Sequence, residues 1–152
     1  MVEFNTPIDS ARDAIESTLS TKLGSDATIY DHFPAGSSGV DFPSGKAGVV
    51  IQHLGSRDVL WGGGEHKTGG VKAIFLILRI QIDIYSDSEQ VRDTVSDDII
   101  EALWDARSTL KSDNRIFNVR LIDGRDWSPP EPYANLYRKM LRFDVTTEMT
   151  NG

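Results

Sequence analysis

Hydrophobic positions along the chain repeat with two different periods, and the changes of period divide it into seven predicted elements. Ile8, Ala11, Ile15, Leu19 and Leu23 recur every three to four residues, which predicts an amphipathic helix over 7–23. Thr6 is placed to cap it, Pro7 suits the first helical position, and Gly24 stands where a C-terminal cap is needed. Short strands are expected at 27–33, ended by Pro34, and at 47–54. Between them, 35–46 is rich in Gly, Ser and Pro and reads as a flexible surface loop; so does 55–70, with glycines at 62–64 and 69–70.

The longest pattern is the apolar run 71–85, which leads directly into a second helix. It is about three times the usual strand of ~5–6 residues. At ~3.3 Å per residue it spans roughly 50 Å, whereas a domain of this length has a radius of gyration near ~15 Å. Such a strand bends within its own sheet or reaches toward a neighbour. Ile74, Leu76, Leu78, Ile80, Ile82 and Ile84 share one face; Phe75 and Ile77, then Arg79, Gln81 and Asp83, share the other. The pattern therefore predicts that the first half is covered on both faces, by its own core or a neighbour. The second half should keep one face in water or against a polar partner.

Ser86 followed by Glu89 reads as a capping box. Val91, Val95, Ile99, Ala102, Leu103, Ala106 and Leu110 then form one helical stripe running through Lys111. Ile100 and Trp104 sit beside it, placed either to widen the core or to meet another subunit. A strand is expected at 116–122, a turn at Asp123-Gly124, a stiff Pro-rich loop within 124–135, and a last strand at 137–147. The order α-β-β-β-α-β-β predicts an α+β fold: a single domain over 1–152 with a mostly antiparallel sheet of about five strands and two main helices on one side.

Composition narrows the function classes. Charged residues at 26% and hydrophobic residues at 39% suit an ordinary folded domain. A net charge of −7 disfavours a nucleic-acid clamp, since phosphate binding relies on Lys and Arg. The absence of cysteine removes disulfides, thiolate nucleophiles and thiolate metal ligands. With no run of about 18 apolar residues and an acidic start, the expectation is a protein used without secretion or membrane insertion.

Chemical motifs are weak throughout. The segment 62–68 (GGGEHKT) imitates a phosphate-binding loop, but His66 precedes Lys67 where glycine is required, and a strand follows instead of a helix. His32, His53 and His66 lack metal-ligand spacing. Asp97, Glu101 and Asp105 form an acidic line on the second helix, either a solvated face or a docking surface for a basic partner. Arg115, Arg120, Arg125, Arg138, Lys139 and Arg142 concentrate in the last third, as a hydrated face or one turned to DNA or an acidic neighbour. Trp61, Trp127 and Tyr133 lie in predicted loops, where large aromatics either fold back on the core or anchor an interface. Together with Phe75, Ile77 and Trp104, they are the candidate protein-interface residues. No catalytic, cofactor or metal residue is assigned.

The element order, the FLILRIQIDIYSDSEQ strand–helix junction at 75–90 and the closing YRKMLRFDVTTE at 137–148 resemble the tail terminator (tail completion) proteins of long-tailed bacteriophages and related archaeal tailed viruses. The resemblance covers roughly residues 8–147. It implies a tail-terminator-like α/β subunit that forms a homo-oligomeric ring, typically a hexamer, at the tail–neck junction of a virion. Such a ring caps the tail tube, ends its polymerisation and offers a surface to the head connector, after assembly in the host cytoplasm. It implies no catalytic residue and no cofactor. DNA would pass through the channel without specific binding, which the acidic charge suits. The competing classes are another head–tail joining or neck protein, a small soluble enzyme, and a DNA-binding module.

Overall fold

The computed structural model describes residues 7–30, 35–36, 39–40, 45–58, 65–68, 71–127 and 136–150; side chains at 7–8, 35–36, 39–40, 55–58, 65–68, 71–74, 127 and 148–150 lie outside that description. The elements are α1 (Pro7–Leu23), β1 (Ala27–Tyr30), β2 (Ala35–Gly36), β3 (Gly39–Val40), β4 (Ala47–Asp58), β5 (Glu65–Thr68), β6 (Val71–Ser86), α2 (Glu89–Asp105), α3 (Arg107–Asn114), β7 (Ile116–Trp127) and β8 (Tyr137–Thr150). The α+β class and the helix–strand order agree with the hydrophobic pattern.

The main sheet runs β1-β4-β6-β8-β7, with β5 added to β6. Among the described residues β1 and β4 alone pair in parallel; the other pairs are antiparallel. β6 is 16 residues long and central, with both flanks occupied. β8 pairs with it from Ala73 to Ser86, while β5 and then β4 share the opposite flank. A strand of this length is thus supported by neighbours throughout, which removes the open edge it would otherwise present.

One sheet face carries the core. Ala11, Ile15, Leu19 and Leu23 of α1, Val95, Ile99, Ala102 and Leu103 of α2, and Leu110 of α3 pack with Val49, Ile51, Leu78, Ile80, Ile82, Ile84, Leu141, Phe143 and Val145. The period-3.6 stripe and the period-2 alternation meet there as each predicts.

Several boundaries differ from the sequence reading, among them the end of β8, which runs to Thr150 rather than 147. Within 35–46, read as loop, β2 and β3 pair antiparallel. Within 55–70, β4 continues to Asp58 and β5 forms a hairpin with β6, because backbone pairing to a strong apolar strand outweighs the weak strand preference of Ser, Asp and Lys. Asp123-Gly124 is a bulged stretch of β7, with the register shifting between Leu121 and Asp123, so the strand crosses the expected turn and ends at Trp127. The helix expected through Lys111 divides at Ala106 into α2 and α3, making three helices. Finally, the cap is Ser88: its side chain accepts from the Val91 N–H at 3.4 Å, while the Ser86 hydroxyl donates to the Lys46 carbonyl at 3.0 Å and accepts from the Ser88 N–H at 3.2 Å. Ser86 is still in the strand, so its hydroxyl ties β6 to the start of β4 and helix initiation passes to the next serine.

Candidate assembly surface

The second half of β6 lies against a polar partner, one of the two placements expected for it, whereas Phe75 and Ile77 in the first half are less covered than expected. On the face away from the helices, Gln81, Asp83 and Tyr85 are buried, as are Val50 and Met140 beside them, whereas Phe75 and Ile77 are half-buried. The reason is a polar ladder between β6 and β8. Arg138 donates to Asp83 Oδ1 through Nε at 3.1 Å and Nη2 at 2.9 Å. Gln81 Nε2 donates to Asp83 Oδ2 at 2.9 Å, and Arg142 Nε donates to Gln81 Oε1 at 3.2 Å. Arg79 and Asp144 continue the ladder at 3.1 Å. Polar groups can be buried when they satisfy one another, and here β8 is the polar partner of the second half. The Arg138 guanidinium also lies 5.6 Å from the centre of the Tyr85 ring. Burial raises the Tyr85 phenol above its ordinary value, and the neighbouring Asp83 charge adds to the rise, while Arg138 opposes it.

Among the described side chains of β6, Phe75 and Ile77 are the ones left partly open on this face beside exposed Arg79. The helices cover Leu78 to Ile84, and half-buried Leu76 marks the margin of the core. Beyond it, β5, β6 and the end of β8 continue as a three-stranded blade. Phe75 meets Phe117 of β7 edge to face, with ring centres 5.4 Å apart and planes at 80°. The Arg115 guanidinium stands 5.7 Å from the Phe117 ring centre. Ile77 lies in register between Arg57 of β4 and Thr146 of β8.

Phe117 also borders a groove of about 290 Å³ between the helices and edge strand β7, together with Leu103, Trp104, Arg107, Lys111 and Ile116. Trp104 is 65% exposed, the most exposed large hydrophobic side chain among the described residues. Arg107 stacks 4.1 Å from the centre of its ring. Of its two sequence placements, Trp104 takes the surface, while Ile100 packs against the core. Leu121 and Ile122, on the same edge strand, are exposed as well. Phe75, Phe117 and Trp104 are therefore joined by one connected surface. Sequence reasoning missed Phe117, although its place one residue into the edge strand was a usable signal. Trp61 and Tyr133 lie outside the described residues, as does the side chain of Trp127, whose backbone ends β7 opposite Arg138.

Asp97, Glu101 and Asp105 are exposed on α2, and Glu101 meets Lys22 at 3.5 Å. A second charge network lies where β7 and β8 approach α2. Arg92, only 3% exposed, contacts Asp93 at 2.8 Å, Glu89 at 3.5 Å and Asp126 at 3.7 Å; Lys139 contacts Asp93 at 3.7 Å and Asp126 at 3.6 Å. Each cation there faces a carboxylate, so the cluster fastens α2 to the β7–β8 hairpin. Among the described residues no three His, Cys, Asp or Glu side chains converge as a metal site would require. His53 is half-buried, and its Nε2 has no hydrogen-bond partner among the described residues.

No protein-family model matches the sequence, and no curated protein matches it. Among solved structures, the fold is similar to that of a chain in the virion of a native gene transfer agent particle. The TM-score is 0.56, 97% of this chain and 98% of that chain are covered, and the sequences are 11% identical. The chain thus shares, over nearly its whole length, the fold of a component of a virion particle.

Proposed function

We propose that this chain is a virion structural protein of the tail-terminator type. Copies form a ring, six being the expected number, that caps the tail tube, ends its polymerisation and joins the tail to the head connector. The observation that carries the reading is the fold shared end to end with a virion chain. The surface agrees with it. A blade with half-buried Phe75 and Ile77, next to an edge strand with exposed Leu121 and Ile122, offers what a heterologous, ring-closing contact needs. The net charge of −7 suits a wall along which DNA slides. The role is mechanical, and no residue is given catalytic work.

The test is to add the purified chain to its polymerising tail tube protein and to image the tubes. Rings at tube ends with arrested growth are expected. Unaltered growth with bare ends would overturn the reading, and density placed elsewhere in the neck of a reconstructed particle would reassign the chain to another joining protein.

A further inference from the structure

Apart from Asp105 directly after it, the charges that flank Trp104 three and seven residues away have opposite signs on its two sides. Asp97 and Glu101 stand seven and three residues before Trp104, and Arg107 and Lys111 stand three and seven residues after it. All four are exposed. Helical direction carries through the junction at Ala106, whose backbone stays in the right-handed region. Its N–H donates to the Ala102 carbonyl at 3.0 Å, and its own carbonyl accepts from the Leu110 N–H at 2.8 Å. Trp104, Arg107 and Lys111 accordingly border the same groove. At ~1.5 Å rise per residue, Asp97 and Lys111 lie roughly 10 Å on either side of the indole.

We propose that this face pairs with the same face of a second copy, the α2–α3 segments running antiparallel about a two-fold axis at Trp104. The pairing goes beyond the ring proposed above and does not depend on it. An isologous contact must be self-complementary, and a sign-reversing pattern has that property only in the antiparallel sense. Asp97 of one copy then meets Lys111 of the other, and Glu101 meets Arg107. A parallel arrangement would set acid against acid and base against base. The exposed indole supplies the apolar centre, entering the partner's groove beside Phe117, and the charges form the rim that sets register. Glu101 already touches Lys22, but both side chains are substantially exposed, so this contact is weak and open to exchange.

The mass of the full-length chain in low salt, measured by light scattering across a concentration series, tests the pairing. Wild type is expected to reach twice the 16.8 kDa chain mass. Asp97→Lys with Glu101→Lys makes all four of these positions cationic and should weaken pairing roughly tenfold or more, the effect of like charges brought together. Adding Arg107→Glu and Lys111→Glu inverts all four signs, restores the opposed pattern and should restore the dimer. Far-UV circular dichroism confirms that each variant is folded. Should the doubly reversed variant fail to fold, wild type in about 1 M salt, where screening acts within ~3 Å, must show weakened pairing. A wild type that stays monomeric up to its solubility limit overturns the proposal. So does a dimer or larger species indifferent to the reversal and to salt, an outcome that leaves the ring untouched.

Discussion

Asp83, 1% exposed, uses both carboxylate oxygens: Oδ1 takes the Arg138 fork and Oδ2 takes the Gln81 amide. Its charge is tolerated in the sheet because Arg138 and Gln81 donate to both oxygens, and removal of one member should therefore cost more than the pair contributes. Asp83→Ala is expected to lower unfolding stability by about 3 kcal/mol in a urea titration, by removing the carboxylate that takes both the Arg138 fork and the Gln81 amide. Gln81→Lys, a harmless change were the face wet, places a cation against Arg142 in a buried site and should cost about 2 kcal/mol. Tyr85 gives a pH prediction. Its folded pKa is raised above the ordinary 10.0, so the unfolded chain releases the phenolic proton first as pH rises. The stability tied to the neutral phenol is complete below about pH 10 and is lost as pH climbs through the raised value. Tyr85→Phe should flatten that alkaline loss in stability measured by denaturant melts. Equal slopes for the two proteins would show that Tyr85 does not titrate in this way.

At the scale of elements, the two serines between β6 and α2 divide the work. Ser88 caps the helix and Ser86 ties the strand end to Lys46. Ser88→Ala is expected to cost about 1 kcal/mol, read from the thermal midpoint, with the loss falling on helix α2. Periodic segments were legible in the sequence: α1 matches its predicted span, and β6 exceeds its own by one residue. The stripes name Ala11, Ile15, Leu19 and Leu23 of α1 and Val95, Ile99, Ala102 and Leu103 of α2, all buried, but include half-buried Val91 and Ala106 and miss buried Ala14, Arg92 and Ser96. Boundaries that depend on a neighbouring strand were not legible. β5 is strand because β6 is beside it, and the bulge at Leu121–Asp123 lets β7 continue where local residues favour a turn. Local preference is worth tenths of a kcal/mol per residue, and a paired ladder outweighs it.

At the scale of the whole molecule, burial separates the two halves of the long strand into different tasks. Leu78–Ser86, apart from exposed Arg79, is enclosed and holds the fold; Phe75 and Ile77 are half-buried and accessible to a neighbour. Ile77→Asp should then reduce monomer stability by only about 1–2 kcal/mol, in keeping with half-burial, while abolishing ring formation at tube ends. The checks are a chemical melt of the free chain and electron microscopy of capped tubes. Normal rings with Asp at 77 would remove this segment from the contact.

The sequence by itself determined the class of fold, the two amphipathic faces and the existence of a long central strand. These follow from the periodicity of apolar residues, a local property of the chain. It also named Trp104, Phe75 and Ile77 as side chains in need of an explanation. Only the tertiary structure decided which face of β6 is enclosed, because burial of Gln81 and Asp83 depends on Arg138 and Arg142, more than fifty residues away. Only the structure put Trp104 on the surface beside Phe117. Polarity can be read from a residue type; whether that polarity is satisfied depends on partners that the fold brings together.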